Sequence, residues 1–192
     1  MPSTSASTCK DYSLRVPPGQ CPSWKVRYRE AVRLIAHTPR HTVFTRFIPV
    51  RNKAEARGVW KIYYEKWECV TRDKVDPVLL ELIPDLTRFV PPATVIDRQT
   101  YCAFTNSRLQ AFLDEHQVDT LIVSGGKTDV CVLATVLAAV DIGYRVILAE
   151  DALCSSSDES HDALINLYSR RFSLQIEVAP VASILASWSV DD

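Results

Sequence analysis

The second half of the sequence alternates between strand-like and helix-like segments, and this alternation restricts the fold more than any other feature. After Pro91 and Pro92, short apolar runs are each followed by a segment whose apolar residues recur at helical spacing. The predicted segments are strand 94–97, helix 106–116, strand 119–123, helix 128–142, strand 144–149, helix 157–171, strand 174–178 and helix 181–188. Because each helix must return the chain to the same end of the sheet, the strands run parallel. The pattern therefore predicts a three-layer α/β fold with helices on both faces.

The first half contains a clear helix and a clear strand before a mixed segment. Apolar residues recur at helical spacing over 24–37, and Pro39 follows as a stop. Residues 41–47 are rich in β-branched and aromatic side chains, which predicts a strand. Residues 51–76 mix basic with aromatic side chains. They fit either a lid over a cleft or a solvated helix that rests on its aromatic residues.

Cys131 follows a predicted strand at the position where parallel α/β folds place their functional sites. If Thr128 caps the next helix, Cys131 lies three residues inside it. There, unpaired N–H groups and the positive end of the helix dipole stabilise a thiolate and bind an oxyanion. Cys131 is thus a candidate nucleophile, and the alternative is a small buried hydrophobic residue.

The same turn imitates the end of a phosphate-binding loop, since Gly126, Lys127 and Thr128 follow a strand and precede a helix. That loop requires a glycine five residues before Gly126, where Leu121 stands instead. A dinucleotide fingerprint also needs three spaced glycines, and only two adjacent ones are present. The sequence therefore gives little support to a nucleotide-binding module.

The composition excludes several classes of partner. With 22 basic and 23 acidic residues the net charge is 22 − 23 = −1, so neither nucleic acid nor an anionic membrane is an expected partner. Segment 1–12 lacks a signal-peptide pattern and no apolar run spans a bilayer, so we expect a cytoplasmic protein. Six scattered cysteines and four histidines show no CxxC or metal-ligand spacing. This predicts reduced thiols, no metal and no cofactor.

Several sequence blocks together resemble the isochorismatase-like cysteine hydrolases, a family that includes nicotinamidases and N-carbamoyl amidases. The resemblance runs from about residue 22 to residue 188 and is strongest in blocks 97–104, 125–132, 139–146 and 150–152. It implies a Rossmann-like, mainly parallel sheet flanked by helices, in agreement with the alternation. It also implies a small-molecule substrate of the amide, carbamoyl or vinyl-ether type.

The resemblance implies a catalytic triad of Asp, Lys and Cys, in which Cys131 matches the nucleophile. It further implies a cis peptide bond between Gly126 and Lys127, which directs the N–H groups of Lys127 and Cys131 into an oxyanion hole. Arg98 stands where the family has the lysine. Arginine keeps the positive charge but cannot donate a proton at neutral pH. The alternative role for Arg98 is an ion pair with a carboxylate at the end of the sheet.

The N-terminal segment departs furthest from the family, which begins with an apolar strand ending in the catalytic aspartate. Residues 1–10 contain no strand-forming run, so we expect a degenerate or missing first strand, an arm over 1–20 and a hydrolase domain over 21–192. Asp11 is either the catalytic base or an exposed carboxylate in that arm. Since the family places this strand centrally, its loss leaves a slot in the sheet, which we expect residues 8–14 to enter in part.

The leading functional hypothesis is a cysteine hydrolase that acts through Cys131, with Arg98 and Asp11 completing the site. The alternative is a non-catalytic relative that keeps the fold for binding or assembly. The sequence leaves the identity of the substrate open, and it is compatible with a homo-oligomer.

Overall fold

A computed structural model of the protein describes residues 24–188, where parallel strands alternate with helices. The strands are β1 (Val43–Phe47), β2 (Thr94–Arg98), β3 (Thr120–Gly126), β4 (Arg145–Cys154) and β5 (Ile176–Ala179). The α-helices are α1 (Trp24–His37), α2 (Trp60–Lys66), α3 (Pro84–Thr87), α4 (Ser107–Glu115), α5 (Leu133–Ile142), α6 (Asp158–Arg171) and α7 (Val181–Ser187). Short 3-10 helices cover Pro39–His41, Lys53–Glu55, Glu68–Val70, Pro77–Leu80 and Ala103–Thr105. A single π-helical turn, Thr128–Val132, directly precedes α5.

The described strands form two parallel sheets. β1 pairs with β2, from Val43 opposite Thr94 to Phe47 opposite Arg98, and β4 lies between β3 and β5. The parallel pairing confirms the α/β fold that the alternation predicted. Within residues 24–188 no strand joins β1 to β3. A cavity of about 1430 Å³ lies there instead, and every residue of both strands lines it.

Both faces of the larger sheet are covered by helices. Val146 and Leu148 of β4 are fully buried in one core together with residues of α5 and α6. Ala149 belongs to a second core with Val181 and Ile184 of α7. Because successive strand residues point to opposite faces, these two cores lie on opposite sides of the sheet. This arrangement explains why the strands are nearly continuous apolar runs.

The predicted helices are found with small shifts at their ends. α1 has the predicted bounds, and α4 and α6 each begin one residue later because Asn106 and Ser157 cap them through their side chains. Gly143, with a φ of +106°, ends α5 in the left-handed region that favours glycine. The strand predicted over 41–47 begins at Val43, because a 3-10 helix occupies Pro39–His41.

Three sequence expectations fall on residues outside the described range: the arm over 1–20, the entry of residues 8–14 into the slot, and the role of Asp11. One expectation about the thiols is wrong, since Cys69 is disulfide-bonded. Spacing along the chain does not show which cysteines are neighbours in the fold. Cys102, Cys131 and Cys154 are not disulfide-bonded. None of the helices within residues 24–188 has the length and apolar character needed to cross a membrane.

Candidate active site

The cavity between the two sheets brings together the predicted site residues of the described chain. Arg98 ends β2, Gly126 ends β3, and Lys127 and Cys131 follow directly in the next turn. All four line the cavity. They lie at the carboxyl ends of parallel strands, which is where α/β folds hold their ligands.

The turn after β3 changes the direction of the chain within a few residues. Gly125 has a φ of +110°, a conformation that favours glycine. The peptide bond between Gly126 and Lys127 is cis, at the position where the family resemblance places one. The carbonyl of Lys127 then accepts hydrogen bonds from the N–H groups of Val130 at 3.2 Å and Val132 at 3.1 Å. This carbonyl therefore holds the start of the helix.

The helix start differs from the prediction that Thr128 is its cap. Lys127 is the capping residue, without a side-chain hydrogen bond, and Thr128 is the first residue of the π turn. The Thr128 hydroxyl lies 3.0 Å from Nδ1 of His161 in α6, so it contacts that helix and does not cap its own. Cys131 is consequently the fourth residue of a wide first turn and is half-buried. Single π turns within helices are frequent at functional sites.

His161 links this turn to α1. Nη1 of Arg27 lies 2.8 Å from Nε2 of His161, and it also donates to the carbonyls of Glu150 at 2.9 Å and Leu153 at 2.8 Å. Because an arginine can only donate, Nε2 is the acceptor, and Nδ1 carries the proton that is donated to Thr128. Burial and then the charge of Arg27 lower the pKa of His161.

The smaller effects of nearby carboxylates on the His161 pKa act in the opposite direction and come from Asp162, Asp158 and Asp129. Burial prevails, so the neutral imidazole is the favoured form. Sequence reasoning missed this role, because it considered the histidines only as metal ligands by spacing. No local signal relates His161 to a threonine 33 residues earlier.

Two carboxylates near the carboxyl end of the sheet have structural partners. Ser155, directly after β4, donates a hydrogen bond from its hydroxyl to Asp129 in the π turn. Asp151, which the sequence placed just beyond a strand end, lies within β4. Its carboxylate accepts a hydrogen bond of 2.8 Å from the N–H of Val181 and so fixes the start of α7. Asp151 therefore positions a helix.

Arg98 is buried, with 6 % of its surface exposed. Its Nη1 donates to the carbonyl of Thr100, and its guanidinium carbon lies 5.7 Å from the centre of the Phe47 ring. The neighbouring Asp97 is held by Arg46 through two hydrogen bonds of 2.7 and 3.0 Å. Among the described residues Arg98 itself has no salt bridge. The alternative role as a structural ion pair is therefore not found in this part of the chain.

Aromatic side chains form part of the cavity wall near the thiol. Trp60 of α2 packs against Tyr101 with ring centres 4.8 Å apart, and Tyr63, Trp67 and Tyr101 line the cavity. Burial, and then the proximity of Cys131, raise the pKa of Tyr101. The aromatic side of segment 51–76 therefore contributes to the wall, while residues such as Lys61 on the other side of α2 are exposed. These contacts agree with a helix that rests on its aromatic residues, and the role of the segment as a lid stays a prediction.

The described part of the chain contains no group of three or more His, Cys, Asp or Glu side chains placed to hold a metal ion. The functional groups around the cavity include a thiol, a buried guanidinium, a lysine and a phenol, contributed by Cys131, Arg98, Lys127 and Tyr101. These are groups for nucleophilic attack and for binding negative charge.

Comparisons with known proteins agree with one another. Residues 22–180 match the family model of the isochorismatase domain. A segment of 77 residues is 36% identical to Nicotinamidase 3 of Arabidopsis thaliana and covers 40% of this chain and 39% of that protein. Another, of 86 residues, is 28% identical to the uncharacterized isochorismatase family protein PncA of Bacillus subtilis (strain 168), covering 45% and 47%. The matches thus span less than half the length of these curated relatives.

Solved structures share the fold over most of the chain. A cysteine hydrolase from Pseudomonas syringae pv. phaseolicola 1448A superposes with a TM-score of 0.74 at 21% identity, covering 91% of this chain and 86% of that one. The nicotinamidase SaPncA from Staphylococcus aureus gives a TM-score of 0.55 at 17% identity, covering 85% and 90%.

Proposed function

This chain belongs to the isochorismatase family, and we propose that it is a cysteine hydrolase of a small amide, carbamoyl or vinyl-ether compound. The observation that carries the proposal is the position of Cys131: a free, half-buried thiol in the first turn after β3, lining a cavity with a buried guanidinium. The thiolate is the reactive form of cysteine.

For an amide substrate, the thiolate of Cys131 attacks the carbonyl carbon and forms a new C–S bond. The carbonyl oxygen gains the negative charge, and the N–H groups of Lys127 and Cys131 are proposed to bind it. The C–N bond then breaks, the amine leaves with a proton, and water hydrolyses the resulting thioester. Asp11 is proposed as the group that carries the protons. Arg98 remains protonated near neutral pH, so it supplies charge only.

Replacing the thiol tests the proposal. We expect Cys131→Ala to reduce turnover by more than about 10³-fold on any active member of a panel that includes nicotinamide and an N-carbamoyl amino acid. The melting temperature should stay within about 3 °C, because the thiol is only half-buried and alanine is a strong helix former. Turnover is measured by release of ammonia.

Cys102→Ala is the matched control, since Cys102 is also free and half-buried but does not line the cavity. Unchanged turnover in Cys131→Ala contradicts the assignment. A parent that hydrolyses nothing in the panel, and whose Cys131 is alkylated no faster at pH 7 than an ordinary thiol, points to the non-catalytic alternative.

A further inference from the structure

Arg98 is a buried cation without a counter-ion among residues 24–188. It is 6 % exposed, and no carboxylate of the described chain lies within salt-bridge distance of it. The adjacent Asp97 forms a salt bridge with Arg46, which is more exposed than Arg98. A charge withdrawn from water is costly unless it is paired, and residues 24–188 do not supply the carboxylate partner that buried arginines normally have.

The hydrogen bonds of Arg98 leave most of its donors unused. A guanidinium has five N–H groups. Nη1 donates to the carbonyl of Thr100, the ring of Phe47 lies against the group, and Nε is buried without any acceptor. Nη2 likewise makes no hydrogen bond to the described residues. The edge formed by Nε and Nη2 has the geometry that binds a carboxylate through two parallel hydrogen bonds.

The location of Arg98 in the cavity indicates a ligand as the partner of its guanidinium. Arg98 and Cys131 line the same cavity, so an anion held by the guanidinium lies in the cavity that the nucleophile also lines. We propose that Arg98 anchors a carboxylate of the substrate, and that the substrates are therefore amide or carbamoyl compounds that carry a carboxylate. This inference rests on the proposed function, which it makes more specific. It assigns Arg98 to substrate selection, beyond its effect on the thiolate.

Two thiol reagents of almost identical shape test the carboxylate site. Iodoacetate and iodoacetamide both form a C–S bond with a thiolate as iodide leaves, and they differ only in a carboxylate against a neutral amide. Because both require the thiolate, any effect of Arg98 on the Cys131 thiolate fraction cancels in the ratio of their rates. Mass spectrometry of the peptide that contains Cys131 separates this thiol from the other cysteines.

The quantity measured is the iodoacetate-to-iodoacetamide rate ratio at Cys131, divided by the same ratio for glutathione. We expect a value of about ten or more, because this is the gain typical of a charge-assisted hydrogen bond. In Arg98→Gln it should fall to about one. Arg98→Lys keeps the charge without the paired donors and should give an intermediate value. Arg40→Gln is the control, because Arg40 is exposed and lines the same cavity. It should keep the parent ratio.

Two results overturn the inference. The first is an Arg98→Gln variant in which the rates of alkylation by iodoacetate and by iodoacetamide fall equally. Arg98 would then affect only the thiolate of Cys131 and would not bind a carboxylate. The second is an Arg40→Gln variant that loses the preference as fully as Arg98→Gln, which makes it a general charge effect. Neither result affects the proposed hydrolysis, which is tested by turnover.

A measurement on the unaltered protein applies even if Arg98 variants do not fold. Malonate should protect Cys131 from iodoacetamide more strongly than malonamide at equal concentration and ionic strength. Equal protection by the two compounds contradicts the carboxylate site.

Discussion

Arg98 stands where the family resemblance implies a lysine that both supplies positive charge and exchanges a proton. Its guanidinium holds positive charge at the end of β2 but cannot exchange a proton near neutral pH. A lysine ammonium at the same position does both. We therefore expect Arg98→Lys to raise kcat on a neutral amide by about tenfold, within the range that a positioned acid or base contributes.

The measurement compares kcat and KM of parent and variant at pH 7 on the same amide. Arg46→Lys serves as control, because this neighbouring arginine is bound to Asp97 and has no proposed part in the reaction. A variant slower than the parent on every substrate means that proton exchange at this position is not what limits the reaction.

At the level of single residues, the sequence predicted which candidate site residues lie at the ends of strands. Arg98, Lys127 and Cys131 line one cavity because parallel strands place their carboxyl ends at the same edge of the sheet. The sequence did not predict His161, whose bond to Thr128 depends on how α6 packs against the turn. Thr128, which was considered as a cap, is the first residue of a π turn, and the local pattern does not distinguish such a turn from an ordinary first turn.

Among the elements, α1, α6 and the π turn meet at His161, and their contact requires the neutral imidazole. Because burial holds the folded-state pKa of His161 below its usual value of 6.5, the unfolded chain binds the proton more readily. The stability associated with this group is present above about pH 6.5 and is lost as the pH falls towards the folded-state pKa. The melting temperature should therefore decline between pH 7 and pH 5.

Calorimetry over this pH range checks the effect of His161. In His161→Gln the decline should be shallower, because a group that titrates in this range is gone. The exposed His41 provides the control variant His41→Gln, which should keep the decline of the parent. A parent and a His161→Gln variant with the same slope exclude His161 as its source.

Element boundaries were predictable where a side chain marks them. Asn106 and Ser157 cap α4 and α6, and Gly143 ends α5. The strand β4 runs further than predicted, to Cys154, because its register against β3 shifts beyond Val123 and pairing resumes at Gly125 opposite Leu153. A shift of this kind depends on two strands at once, so the apolar pattern of one strand does not show it.

At the scale of the whole molecule, the edges of β1 and β3 that line the cavity have no strand partner among residues 24–188. Within residues 24–188, β1 pairs only with β2 and β3 pairs only with β4. Successive residues of a parallel strand direct their N–H groups to alternate neighbours, so every second amide of β1 and β3 lacks a strand partner here. Since we expect residues 8–14 to enter this space only in part, these amides should exchange with deuterium faster than those of β4, which is paired on both sides.

Exchange measured by NMR, residue by residue, shows whether protection alternates along β1 and β3. Uniform protection along both strands means that another segment pairs fully between them, which contradicts the partial entry expected of residues 8–14. How the N-terminal residues relate to the slot stays a prediction.

The separation of the sheets also determines how ligand binding and folding stability are related. Arg98 belongs to the pair β1–β2, whereas Cys131 follows β3 in the other sheet. One buried core already packs Ile96 of β2 with Val146 of β4. A substrate held by Arg98 and attacked by Cys131 would add a second link between the two sheets, so compounds that contact both should raise the melting temperature more than those that contact one.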